Sequence, residues 1–321
     1  MLAAAHAARE AGSSPNTALC AAVALIGPKM VEGARTAVQT LLEVFRQSGI
    51  TDLADPHVAV AARIAATSAE QAGTLLAAEL DPLAEAMLAG ASARGALETA
   101  ILRYLTGLAA ARGGHPSADA VLAAICFHVA WRPLLHKRIS VTTLTNLPWH
   151  LRVAATIVGA SVNPSRQGAD QFGGVPVQSL IDDWSFTETA YLALLGCRPD
   201  ADGRFAFSVL LGLTASNGPG TISAQGAKGA VSGDGPEMPE RVQVNKGYLG
   251  FLSHTGFAHG DNGFEAMQFL IERAGAHPRH PRLGKAVLSK SARPVRTGRR
   301  LRQDRSDHPA IFRHGAKPAA V

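Results

Sequence analysis

The segment Gly33–Phe45 (GARTAVQTLLEVF) sets Ala34, Val38, Leu41, Leu42 and Phe45 three and four residues apart, on one face of a helix. That spacing recurs along much of the chain. Residues 56–79 and 81–111 read as helical, the second stretch broken near Gly90 and Gly95. Residues 117–130 (SADAVLAAICFHVA) form an apolar helix with Ser117 as N-cap. His128 on it reads as a packed or edge histidine rather than a ligand. A further helix spans 147–162 (LPWHLRVAATIVGASV), with Pro148 suited to its first turn. Residues 163–174 read as a loop and mark the internal boundary. Beyond it come a short strand at Val175–Val177 and a helix from Ser185 to Gly196, opened by a Ser185/Glu188 capping box. Apolar residues are 47% of the chain but aromatics only 5%, so the core is chiefly Ala, Leu and Val. The expected fold is all-α, with a short strand pair near residue 175.

Charge is distributed unevenly. Residues 276–321 carry 12 Lys/Arg against 2 Asp, whereas the preceding 275 residues carry 19 basic and 23 acidic side chains. The basic segment is rich in Pro, Gly, Ser and Arg without apolar period, so its composition predicts a disordered tail. A nucleic-acid arm would share that charge, but no recognition motif accompanies it, and nucleic acid is not an expected partner. The three cysteines, Cys20, Cys126 and Cys197, are too few and too scattered for a disulfide scaffold or a zinc site. No purely apolar run of about 18 residues marks a membrane span, and Met1–Glu10 lacks a basic leader. A cytoplasmic protein is expected, with neither metal nor membrane.

The chain repeats itself. At a fixed offset of 229, Gly27–Glu43 aligns with Gly256–Glu272: Gly27 with Gly256, Ala37 with Ala266, Gln39 with Gln268, Leu41 with Leu270 and Glu43 with Glu272. Upstream, Pro15 and Thr17 align with Pro219 and Thr221 at offset 204, so the second copy holds about 25 extra residues. The copies differ at Met30, whose counterpart is His259. A histidine followed by glycine ahead of a helix can approach a ligand closely, and the helix N-terminus favours developing negative charge.

Residues 172–200 (FGGVPVQSLIDDWSFTETAYLALLGCRPD) resemble the N-terminal signature of citrate synthases through Gly173–Gly174, Leu180, Phe186, Glu188, Ala190–Leu192, Leu194–Gly196 and Pro199. Residues 213–230 (LTASNGPGTISAQGAKGA) are similar to the segment that begins the active site of the compact citryl-CoA lyase module. Residues 257–267 (FAHGDNGFEAM) resemble the family's enolate-side histidine segment. The resemblance implies a mostly helical, dimeric protein. It would form or cleave a carbon–carbon bond between an acyl-CoA and an oxo-acid such as oxaloacetate, with the coenzyme A thioester as substrate and no further cofactor.

By that match His259 would donate to the thioester carbonyl as it becomes an enolate, a role whose benefit grows with the developing charge. Candidate substrate or CoA contacts are Asn217, Gly218, Gln225, Lys228, Lys246, His254, Gly260 and Asn262. Asn217 and Gln225 stand where relatives carry histidines. Lys228 lies in a glycine-rich stretch, and Lys246, with Tyr248, in the insertion. Asp234, Glu237 and Glu240 read as a solvated acidic loop. The family's later histidine and aspartate motifs have no counterpart downstream of Glu272. Residues 1–165 thus read as the end of one module, 166–275 as the start of a second, and 276–321 as the tail. The alternative function is a catalytically inactive module that binds CoA or pairs with a partner chain.

Overall fold

The computed structural model describes residues 1–46, 60–162, 170–214, 218–234 and 241–256, with isolated positions outside them. Met1–His259 form one compact unit and Gly260–Val321 another. The 165/166 boundary falls inside the first. Nearly all of the second unit, including the basic tail, lies outside the described residues.

The fold is all-α. Fourteen α-helices follow one another among the described residues: α1 Leu2–Glu10, α2 Pro15–Ala24, α3 Glu32–Arg46, α4 Val60–Ala66, α5 Ala69–Leu75, α6 Pro82–Ala93, α7 Ala100–Arg112, α8 Ala118–Leu135, α9 Val141–Ser161, α10 Val177–Asp183, α11 Phe186–Leu195, α12 Ala201–Thr214, α13 Ile222–Val231 and α14 Val244–Ser253. Two antiparallel strand pairs interrupt them. β1 (Leu76–Ala77) pairs with β2 (His115–Pro116), and β3 (Gln171–Phe172) with β4 (Val175–Pro176), the pair expected near residue 175.

The main core gathers α3, α5, α6, α7 and α8. Its aromatic centre is Phe45, edge-on to Tyr104 at 5.4 Å and 5.8 Å from Phe127, which stacks on Trp131 at 4.9 Å. The Tyr104 hydroxyl meets Thr67 Oγ1 at 2.8 Å, so this buried polar group is satisfied. α8 is long and apolar enough, by length and composition, to cross a bilayer. Here its buried residues pack in the main core, against α3, α6, α7 and α9.

A second core positions the candidate site. Val23 and Ile26 from α2 and the turn after it meet Trp149 and Val153 on α9 and Val244 and Leu252 on α14. Trp149 Nε1 donates to Ile26 O at 3.2 Å, and the Arg35 guanidinium lies over its ring at 5.7 Å. The Asn16 side-chain amide donates to Leu252 O and Thr255 O, tying the start of α2 to the end of α14. α2, α9 and α14 therefore pack against one another.

Three helix readings change. α9 begins at Val141, six residues before the expected start, because Ser140 caps it: Ser140 Oγ accepts from Thr143 N at 3.1 Å. Pro148 consequently sits inside the helix. Residues 60–75 are two helices, because Ser68 and Gln71 form a capping box that restarts the chain. Gly90 lies within α6, and the break in 81–111 falls between Ala93 and Ala100, where Gly95 at φ +68° turns the chain into a short 3-10 turn at Ala96–Glu98.

Candidate functional site

α13 and α14 form a close antiparallel pair. A Cβ at Gly226 would stand 2.4 Å from the His254 ring and 2.5 Å from Gly250 O, and one at Gly250 would stand 2.3 Å from Gly226 O. The two backbones touch because neither position carries a side chain. Each face of this pair borders a groove.

The larger groove, of about 880 Å³, runs between α9 and the α13–α14 pair. Ala227, Val231, Val242, Val244, Ile157 and Leu252 supply aliphatic walls. Polar groups line up along α9: Ser140, Thr142 and Thr143 at its N-terminus, then Asn146, then His150. At the helical rise, Ser140 to Ile157 spans about 25 Å and Ser140 to His150 about 15 Å. Lys137 and Arg138, both exposed, lie three and two residues before Ser140.

Within the groove His150 Nδ1 and the Tyr248 hydroxyl oxygen are 3.3 Å apart, with ring centroids at 5.8 Å. Burial lowers the His150 pKa below its ordinary 6.5 and raises that of Tyr248 above 10. Both are therefore neutral at pH 7. Asn146 is almost fully buried, and its Oδ1 has no hydrogen-bond partner.

The smaller groove, of about 670 Å³, lies between α2 and the other face of the pair, lined by Cys20, Gly220, Gln225, Ser253 and His254 among others. Gln225 Nε2 donates to Pro219 O at 3.0 Å. His254 Nδ1–H donates to Gly250 O at 2.8 Å, which leaves Nε2 as an acceptor. Burial raises the Cys20 thiol pKa, so this cysteine is held as a thiol.

The structure thus brings two sequence-expected residues, Gln225 and His254, to one groove. Gly218 is exposed, at φ +82°, in the turn leading to α13, and Lys228 is exposed in the last turn of α13. Lys246 is paired with Asp234, whose other oxygen accepts from Gln243 N at 3.1 Å; the ammonium and this amide hold the Asp234 carboxyl below its usual range. That pair also takes Asp234 out of the solvated acidic loop expected there. Asn217, His259, Gly260 and Asn262 lie outside the described residues. Sequence reading passed over Ser140, Asn146 and His150. The only local signal for them was the Ser-Val-Thr-Thr cap that starts α9 early.

The stretch that carries the family resemblance forms β3, β4, α10 and α11. Glu188 closes the expected capping box, accepting from Ser185 N and Oγ at 2.8 Å each. It also faces Arg198 at 3.7 Å and Arg204 at 3.6 Å, and these contacts, led by the Ser185 hydrogen bonds, lower its pKa.

No family model, no curated protein and no solved structure matches this chain.

Proposed function

We propose that this chain is a cytoplasmic acyl-CoA-binding module of the citrate synthase-like kind, with the acyl thioester seated in the groove between α9 and the α13–α14 pair. The observation that carries the reading is the order of chemistry along that groove. Lys137 and Arg138 precede the hydroxyl-rich N-terminus of α9. Aliphatic walls follow, and the neutral His150–Tyr248 pair lies about 15 Å from Ser140 along the helix. An anionic head would sit best at the basic, N-terminal end. A neutral, partly apolar arm would fill the rest, and an extended pantetheine arm can bridge such a spacing. The volume also falls within the range of small-molecule clefts.

Calorimetric titration with acetyl-CoA, butyryl-CoA and free CoA tests this. Both thioesters should bind more tightly than CoA. Lys137→Glu combined with Arg138→Glu should weaken all three several-fold and flatten their salt dependence. Absence of heat from a folded sample would sink the reading.

A second reading makes the chain an enzyme that forms or cleaves a carbon–carbon bond between an acyl-CoA and an oxo-acid. It is favoured by the smaller groove, which Gln225 and His254 both line, His254 five residues before His259. Incubation with acetyl-CoA and oxaloacetate, and separately with citryl-CoA, should then release thiol or oxaloacetate, and His259→Ala should abolish it. Turnover undiminished in that variant would exclude His259 from the role.

A further inference from the structure

The larger groove holds a buried amide that the fold does not satisfy. Asn146 is only 6% exposed, and its Oδ1 is sealed from solvent without a hydrogen-bond partner. Nδ2 bonds to no group of the chain and is not among the sealed atoms, so it is the end that reaches the groove Asn146 lines. The neighbouring polar groups are engaged: Ser140 Oγ accepts from Thr143 N and meets Thr143 Oγ1, and His150 meets Tyr248. An unpaired buried amide keeps its full desolvation penalty. Because neither end is bonded, a half-turn about Cβ–Cγ exchanges donor for acceptor without breaking a hydrogen bond.

The surroundings define what pairs with this amide. No Asp, Glu, Lys or Arg is among the described residues that line the groove, so the segment seated there is uncharged. Asn146 stands within the groove's length, about 9 Å along α9 from Ser140 and about 16 Å from Ile157. A polar group that meets it is therefore internal to the ligand, with aliphatic segments against Val231, Val242 and Val244. A group that answers both ends of a carboxamide carries a donor and an acceptor together, as an amide does. We propose that the groove binds an uncharged aliphatic chain through an internal amide, and that Asn146 is the specificity-determining residue that pairs with it. The proposal does not rest on the acyl-CoA reading, although a pantetheine arm and a free aliphatic amide both supply this chemistry.

The probes are N-butylpentanamide and butyl pentanoate, the ester in which oxygen replaces the N–H. Calorimetric titration of the full chain should give about tenfold tighter binding of the amide, the ratio for one hydrogen bond. Asn146→Leu keeps the volume and should bind the ester as wild type does, with the preference erased. Asn146→Ser, which keeps a small donor and acceptor, should retain part of it. Ala227→Phe fills the groove from α13 and should weaken both probes at least tenfold. In 15N-labelled protein the Asn146 side-chain NH2 signals, assigned by their loss in Asn146→Leu, should shift more with the amide than with the ester. A purely structural amide would not discriminate the two. Unchanged helical circular dichroism qualifies each variant. Displacement of N-butylpentanamide by pantetheine assigns the source to such an arm, and failure to displace it assigns a free amide; either result upholds the proposal. Equal wild-type affinities, a preference that survives in Asn146→Leu, or binding of neither probe overturns it. Titration with acetyl-CoA then decides the acyl-CoA reading separately.

Discussion

His150 follows Trp149, the side chain that fastens α9 to the turn after α2, so its backbone is among the better anchored of the groove. Its place in the fold carries a consequence for stability. Burial depresses the imidazole pKa below 6.5, so the unfolded chain takes up a proton at a higher pH than the folded one. The stabilisation is complete above about pH 6.5 and is lost as pH falls from there through the folded-state value. Thermal melts between pH 7.5 and 5 should show a falling midpoint, and His150→Phe should show a smaller fall over the same window. An identical pH dependence in the variant would mean that folding leaves the ring's pKa unshifted. This residue was not legible beforehand. The local run LPWHLRV resembles any amphipathic helix, and Tyr248, which gives the histidine its meaning, arrives through packing of distant segments. His128 illustrates the opposite case: its position in an apolar helix reads as a packed or edge histidine, and it lies half-buried on α8.

At the scale of the helices, the α13–α14 pair separates two kinds of glycine. Gly226 and Gly250 sit where the backbones touch, and a methyl group would meet backbone oxygen at 2.5 and 2.3 Å. Gly226→Ala and Gly250→Ala should each destabilise the fold by about 1–3 kcal/mol, the usual result of overpacking against atoms that cannot retreat. Gly247 faces the larger groove, with Val231 Cγ1 at 3.6 Å as its nearest neighbour. Gly247→Ala therefore gains helix propensity without a clash and should stabilise by up to about 1 kcal/mol. Urea denaturation of the three variants reads the difference directly, and a destabilised Gly247→Ala would mean that the groove is tighter than its walls indicate. In the stretch QGAKGA, Gly226 is the point of contact with Gly250. Helix existence was readable from spacing, whereas helix ends followed caps. Ser185/Glu188 and Ser117 announced their helices correctly. Pro148 drew the expected start of α9 six residues too late, because a proline suits a first turn whereas the Ser140 cap starts the helix earlier. The α13–α14 contact was not legible, since two short glycine-containing helices have no period that names a partner.

Across the whole molecule, the repeat and the surface point to the same question. The first-copy helix at Glu32–Arg46 is formed as expected, and in the second copy residues 265, 268, 269 and 272 are helical. The upstream blocks diverge: Thr221 is the N-cap of α13, whereas its counterpart Thr17 lies inside α2. α14, which lies among the extra residues between the two aligned blocks, packs on α2 rather than forming a loop. The segment bearing the family resemblance, and the helix after it, leave apolar side chains uncovered. Phe186 is 62% exposed, and along α12 Phe205 and Leu213 are each 73% exposed, on the face that also carries Val209. A contiguous stripe at i, i+4 and i+8 is costly to leave in water and is the pattern of a helix that docks. Since the resemblance implies a dimer, a second copy is the expected occupant, meeting this face symmetrically. Light scattering of the full chain should report twice the monomer mass, and Phe205→Glu with Leu213→Glu should return it to the monomer while circular dichroism stays helical. If the double variant remains dimeric, the contact lies elsewhere and the α12 stripe serves another partner. If the wild type is already monomeric at micromolar concentration, the resemblance does not extend to the family's assembly.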